Sequence, residues 1–181
     1  MASDRRNGFI VAVLAGALLA GIGGVYGILG SLQSPKEMDQ FRGIRWGAPV
    51  AEVSGLRPLA EDGELVFYVR DGDKLSIENV EVNQVVYGFY KGRFYNAIVY
   101  YRTAGNFSML KDHLYGQLGN AYHPVYSEKR YFWDGDKVSV LLTFDDASDE
   151  GRISFLYKPI AGEVVPKEEQ EKKGDGVDDG Q

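Results

Sequence analysis

The residues able to carry chemistry are few and scattered. The chain has no cysteine and two histidines, His113 and His123, which excludes thiol catalysis, thiolate metal sites, disulfides and an acylated N-terminal cysteine. His113 sits at the margin of an apolar helical stripe. His123 precedes Pro124 in a loop without a local partner, so both read as packing residues rather than as ligands or bases. Acidic residues gather in Asp71-Gly72-Asp73, Asp134-Gly135-Asp136 and Asp145 to Glu150. None follows the ligand order of a calcium loop, and Asp with Gly is favoured in tight turns. A phosphate-binding glycine loop, a nucleophile elbow and a zinc-binding helix motif are all missing. The sequence therefore assigns no catalytic, cofactor-binding or metal-binding residue and calls for no cofactor. What remains is aromatic: 12 tyrosines and 9 phenylalanines, concentrated between residues 41 and 160. Among them Tyr90, Tyr95 and Tyr101 share one face of a predicted hairpin and form a candidate partner surface, because tyrosine anchors interfaces well.

The elements that must position such a surface lie between two unlike segments. The 181 residues carry a formal charge of −6, but residues 1–40 are neutral, residues 41–160 carry −2 and residues 161–181 carry −4. The middle is nearly neutral with mixed signs, which disfavours a nucleic-acid partner. The last segment, AGEVVPKEEQEKKGDGVDDGQ, has no aromatic residue and almost no apolar periodicity; residues 161–181 are expected to form a disordered acidic tail.

At the other end no charge occurs between Arg6 and Lys36. The stretch from Phe9 to Leu32 would measure about 36 Å as a helix, at ~1.5 Å per residue, enough for the ~30 Å hydrocarbon core of a bilayer. Its six glycines are tolerable there, because a backbone in lipid has no water to bond. The sequence thus predicts a stub at 1–8, a transmembrane signal anchor at 9–32, a linker at 33–40 and a folded domain at 41–160. A cleaved signal peptide is the rival, with Gly21-Ile22-Gly23 as its small-x-small site. Arg5 and Arg6 favour a cytoplasmic N-terminus, which places the domain outside the cytoplasm, in the periplasm of a Gram-negative bacterium. Ala12, Gly16, Ala20 and Gly24 recur every four residues and form a candidate face for helix association and homodimerisation.

Within 41–160 the patterning alternates between periods. GAPVAEVSG reads as a short helix opened by Pro49. Strands are predicted at 64–70, then at 84–90 and 93–102 around a Lys91-Gly92 loop. With that loop Phe89 faces Phe94, Val85 faces Ile98 and Gly88 faces Tyr95. One face then holds Val85, Tyr87, Phe89, Phe94, Ile98 and Tyr100, and the other holds Val86, Tyr90, Tyr95, Val99 and Tyr101. A helix follows over 107–118, capped by Asn106 and ended by Gly119, with Phe107, Leu110, Leu114 and Leu118 on one stripe. A second hairpin, 129–133 with 138–144, and a last strand over 152–158 complete the order, with Pro159 ending that strand. Helix followed by three strands, twice over, predicts an α+β domain with about six antiparallel strands and one or two short helices, on the pattern of a diverged duplication.

This order, with Gly47-x-Pro49 and Glu52-Val53 opening the first helix, resembles the small SmpA/OmlA-type envelope proteins. The doubled unit is similar to that of β-lactamase-inhibitor-like domains. FRGIRWG, GFYKGRFY and RYFWDG resemble an uncharacterised family of bacterial membrane-anchored envelope proteins. These resemblances imply a non-catalytic binding module with a protein partner in the envelope. Two other classes compete with it: a small enzyme or ligand binder using carboxylates and tyrosines, and a pilin-like structural subunit. Gly8-Phe9 after Arg5-Arg6 resembles a type IV pilin cleavage site, but Val13 stands where pilins carry Glu, and Pro35 would end the stalk.

Overall fold

The computed structural model describes residues 36–123 and 125–164. The predicted anchor at 9–32, its face of Ala12, Gly16, Ala20 and Gly24, and positions 165–181 lie outside these residues. No helix among the described residues is long and apolar enough to cross a membrane.

The fold is α+β around a seven-stranded antiparallel sheet, with two further two-stranded ribbons. A first ribbon, β1 (Gln40–Phe41) and β2 (Ile44–Arg45), precedes a single 3-10 turn at Val50–Glu52 where a short helix was expected. Strands β3 (Leu56–Asp62) and β4 (Leu65–Arg70) form a hairpin, followed by a second ribbon, β5 (Ser76–Ile77) and β6 (Val80–Glu81). The hairpin β7 (Gln84–Tyr90) and β8 (Arg93–Arg102) leads into helix α1 (Ala104–Leu118). Strands β9 (Arg130–Asp134), β10 (Val138–Asp145) and β11 (Glu150–Tyr157) then run into helix α2 (Lys158–Val164). The sheet order is β3-β4-β7-β8-β11-β10-β9. Two meanders therefore meet at their last strands, β8 and β11.

Alternation along the strands and a 3.6-residue stripe on α1 produce the main core. Phe107, Leu110, Leu114 and Leu118 are buried against Val85, Val99, Val140, Leu142 and Ile153 of the sheet. Each such side chain contributes roughly 2 kcal/mol when removed from water. The cap of α1 is Thr103, whose side chain accepts from Asn106 N, so the helix begins before the expected Asn106. Gly119 ends it with φ 85, and its carbonyl accepts a hydrogen bond from Trp133 Nε1 at 2.9 Å, tying the helix exit to β9.

Three expectations are corrected. The Lys91-Gly92 loop forms, with φ 49 and 69, and Phe89 pairs with Phe94, but the register then shifts so that Gly88 pairs with Asn96 and Val85 with Val99. One extra residue, Tyr95, bulges β8 and reverses which side chains face the main core beyond it. Val99 and Tyr101 enter the main core, while Ile98 and Tyr100 join a smaller cluster on the opposite face with Ala60, Phe67 and Val86. Secondly, β3 carries Pro58 and lies outside the strands that the sequence predicts; it is the sheet's edge, where a missing N–H costs no ladder bond. Thirdly, Pro159, expected only to end the last strand, stands in the first turn of α2, which begins at Lys158 directly after β11, because proline suits the first turn of a helix. Ile160 of α2 is buried against Tyr95 and Leu156, and the helix reaches Val164, four residues into the segment read as tail.

Gly151 of β11 pairs with Tyr101 of β8. A methyl group there would lie 2.2 Å from the tyrosine ring, and Tyr101 Oη donates to Thr143 O of β10 at 2.8 Å. The ring thus crosses one strand and bonds the next. Gly116 of α1 has open space around the same position. Gly151→Ala should destabilise the domain by roughly 3 kcal/mol through overpacking, whereas Gly116→Ala should stabilise it by about 0.5–1 kcal/mol through helix propensity. Urea denaturation of the two variants checks the opposite signs.

Candidate functional site

Tyr90, Tyr95 and Tyr101 do not form a surface. Tyr95 and Tyr101 are each 1% exposed, and the bulge sends them to opposite faces. Tyr101 belongs to the main core, while Tyr95 is buried under α2 with Tyr90 packed beside it. Sequence alternation was correct on each side of the bulge and wrong across it.

One concave feature among the described residues is a groove of about 230 Å³ between ribbon β1–β2 and helix α1. Met38, Gln40, Phe41 and Arg42 build one wall, and His113, Leu114, Gln117 and Leu118 build the other. Ser76 and Ile77 of β5 close one side, with Phe155 of β11 contributing apolar floor. His113, read as a half-buried packing residue, is half-buried and is the groove's titratable imidazole. Arg42 supplies its formal charge, and no carboxylate lines it. The lining offers amide and imidazole groups above an apolar base, which suits recognition of a mixed apolar and hydrogen-bonding surface.

Behind one wall lies a polar network that the sequence did not reveal. Arg42 Nη1 donates to Asp73 Oδ1 at 2.8 Å and also to Lys74 O, while Nη2 donates to Ser76 O at 2.9 Å. Tyr87 Oη, in the floor of the main core, donates to Asp73 Oδ2 at 2.6 Å. Asp73 and Arg42 are mostly shielded from solvent, with side-chain exposures of 13% and 18%. The carboxylate therefore has a partner on each oxygen, which is how a shielded charge is retained. Burial, then the hydrogen bond to Asp73 and its negative charge, pushes the Tyr87 hydroxyl far above the usual tyrosine range. A general base would need an accessible carboxylate, and Asp73 is held at both oxygens. The signal for this network was partly visible: Asp71-Gly72-Asp73 stood out as an acidic turn, and Arg42-Gly43 lies inside FRGIRWG.

The other acidic turns are likewise engaged in local structure. Asp134 Oδ1 accepts from Ser139 Oγ at 2.7 Å and from Lys158 Nζ at 2.9 Å. Asp145 accepts from Ala147 N and Ser148 Oγ, and these bonds hold its carboxyl below the ordinary range. Among the described residues no group of three or more His, Asp or Glu side chains is placed to hold a metal ion. His123, expected to lack a partner, stacks on Tyr131 at 4.3 Å between centroids and bonds Glu128 O through Nε2 at 2.8 Å.

Burial also raises the hydroxyl pKa of Tyr95 and Tyr101. In the unfolded chain a tyrosine ionises near pH ~10, so above that pH the native state holds protons the unfolded state has lost. Stability should therefore be fully present below about pH 10 and fall as pH rises further. Alkaline thermal melts, followed with tyrosinate absorbance, check this; Tyr87, Tyr95 and Tyr101 should ionise only as the fold is lost. No protein-family model, no curated protein and no solved structure matches this chain.

Proposed function

We propose that the chain is a single-pass membrane-anchored envelope protein whose α+β domain binds a protein partner and catalyses no reaction. The observation that carries this reading is the uncharged run between Arg6 and Lys36, joined within a few residues to Phe41, the first buried core residue of the domain. An apolar stretch of that length is costly in water and matched to a bilayer. The two arginines before it support a cytoplasmic N-terminus and an extracytoplasmic domain. The groove beside α1 is the binding surface in this reading. A carboxylate- and tyrosine-based enzyme is the weaker alternative, since the groove lining contains no Asp or Glu and Tyr87 is fully buried. In the same proposal, Ala12, Gly16, Ala20 and Gly24 supply a close-packing face through which two anchors associate.

Two measurements test it. The full chain should remain with membranes after alkaline carbonate washing, and its domain should resist protease until the outer face of the membrane is opened. A photo-crosslinking residue at Gln117, on the groove, should yield an adduct with another protein in intact cells, while one at Arg57, on the sheet edge, should not. Extraction by carbonate would remove the anchor; equal adducts from both positions, or none from Gln117, would remove the groove as the binding surface.

A further inference from the structure

Ribbon β1–β2 turns on a long basic residue at positive φ, as the β7–β8 loop does on Lys91. In a type I′ hairpin loop both central positions take positive φ, and Asn or Asp before Gly meets that demand with least strain. Here the first position is Arg42, at φ 49, ahead of Gly43 at φ 79. An arginine gains nothing in such a turn from its backbone. What it gains is reach: its guanidinium bonds Asp73, Lys74 O and Ser76 O, and Asp73 is fixed from below by Tyr87. The ribbon itself pairs with no strand of the seven-stranded sheet. Its other ties are the buried side chains of Phe41 and Ile44, Glu37 accepting from Lys137 N on one flank, and Gly47 N donating to Phe94 O on the other.

We infer that ribbon β1–β2 is a strap that unlatches as a unit. The Arg42–Asp73 ion pair is its latch, and its release opens the groove while the seven-stranded sheet stays folded. Lifting the strap removes the wall made by Met38, Gln40, Phe41 and Arg42, and leaves Leu114, Leu118 and Phe155 as an open apolar floor. The strap is a natural unit for such opening, because it shares no ladder with the sheet; the charged clamp is its polar fastening, and opening also withdraws Phe41 and Ile44 from the main core. It also follows the N-terminal stretch in the chain, so a displacement of that stretch is passed through the Glu37–Lys137 tie to the latch. This last clause rests on the anchored reading; the latch itself does not.

The absence of cysteine allows a direct test on the full chain in detergent solution. Single thiols are placed in the strap, by Ile44→Cys, and in the centre of β10, by Leu142→Cys, and their rates of reaction with an aromatic disulfide reagent are compared. The strap thiol should react about 100-fold faster than the strand thiol. Adding Arg42→Asn keeps a residue suited to the turn but removes the clamp. It should raise the strap rate by roughly tenfold or more, as expected for a lost charge-assisted bond, and leave the strand rate unchanged. Equal rates at the two sites, no response to Arg42→Asn, or equal acceleration of both thiols would each overturn the latch. Since Ile44→Cys itself trims the strap, hydrogen exchange of residues 38–46 against 138–145, with and without Arg42→Asn in the otherwise natural chain, gives the same comparison and the same overturning outcomes. Neither readout depends on whether the N-terminal stretch is anchored.

Discussion

The extra residue in β8 lets a single strand serve two cores. Opposite the bulge, Gly88 leaves room for Asn96, whose Cβ would stand 3.1 Å from a methyl group at position 88. Asn96 is wholly buried and donates through Nδ2 to Phe155 O at 2.9 Å, a bond that ties the bulged strand to β11. Before the bulge Phe94 packs into the main core; after it Ala97, Val99 and Tyr101 do so. Between them Tyr95 turns to the other face, where α2 covers it. Without the extra residue Tyr101 would leave the main core, and the crossing over Gly151 to Thr143 would be lost with it. The second helix and the inter-strand tie both depend on this one local irregularity.

Around that frame the aromatic residues act mainly as structural members. Trp46 is stacked on Phe94 at 4.7 Å between centroids and lies nearly parallel to Tyr157, so the segment following the first ribbon is held flat against the sheet end. Backbone bonds from Gly47 N to Phe94 O and from Val50 N to Gly92 O continue the same attachment. The tyrosine hydroxyls of the main core reach carbonyl or carboxylate oxygens at its boundary, Thr143 O for Tyr101 and Asp73 for Tyr87. Large rings with one polar end are suited to spanning from core to rim. The density of tyrosine in the sequence is thus largely accounted for by packing.

What was legible in the sequence follows from short-range rules. The Lys91-Gly92 loop, the stripe of Phe107, Leu110, Leu114 and Leu118, and the second hairpin, expected at 129–133 with 138–144 and found as β9 with β10, each rest on residues a few positions apart. The bulge was not legible, because its cause is a packing arrangement between Gly88, Phe67 and Asn96 drawn from three strands. Pro58 hid β3, since an edge position for proline is known only once the sheet order is known. Pro159 reads equally as the end of a strand or the start of a helix, and only the contact of Ile160 with Tyr95 decides between them. The groove and the Arg42–Asp73–Tyr87 network join segments 31 and 14 residues apart, beyond any local pattern.

The meeting of the two meanders at β8 and β11 has a consequence for how the protein is made. The pair Arg102 and Glu150, at one end of that junction, is separated by 48 residues. Until β11 has been synthesised, the first meander therefore carries a long, tyrosine-rich strand with an open edge. Non-local pairing of this kind is slow and leaves edges available to other chains. During synthesis the nascent domain therefore stays incomplete until almost its last strand is delivered, and its exposure to aggregation is set by elongation and not by the stability of the finished sheet.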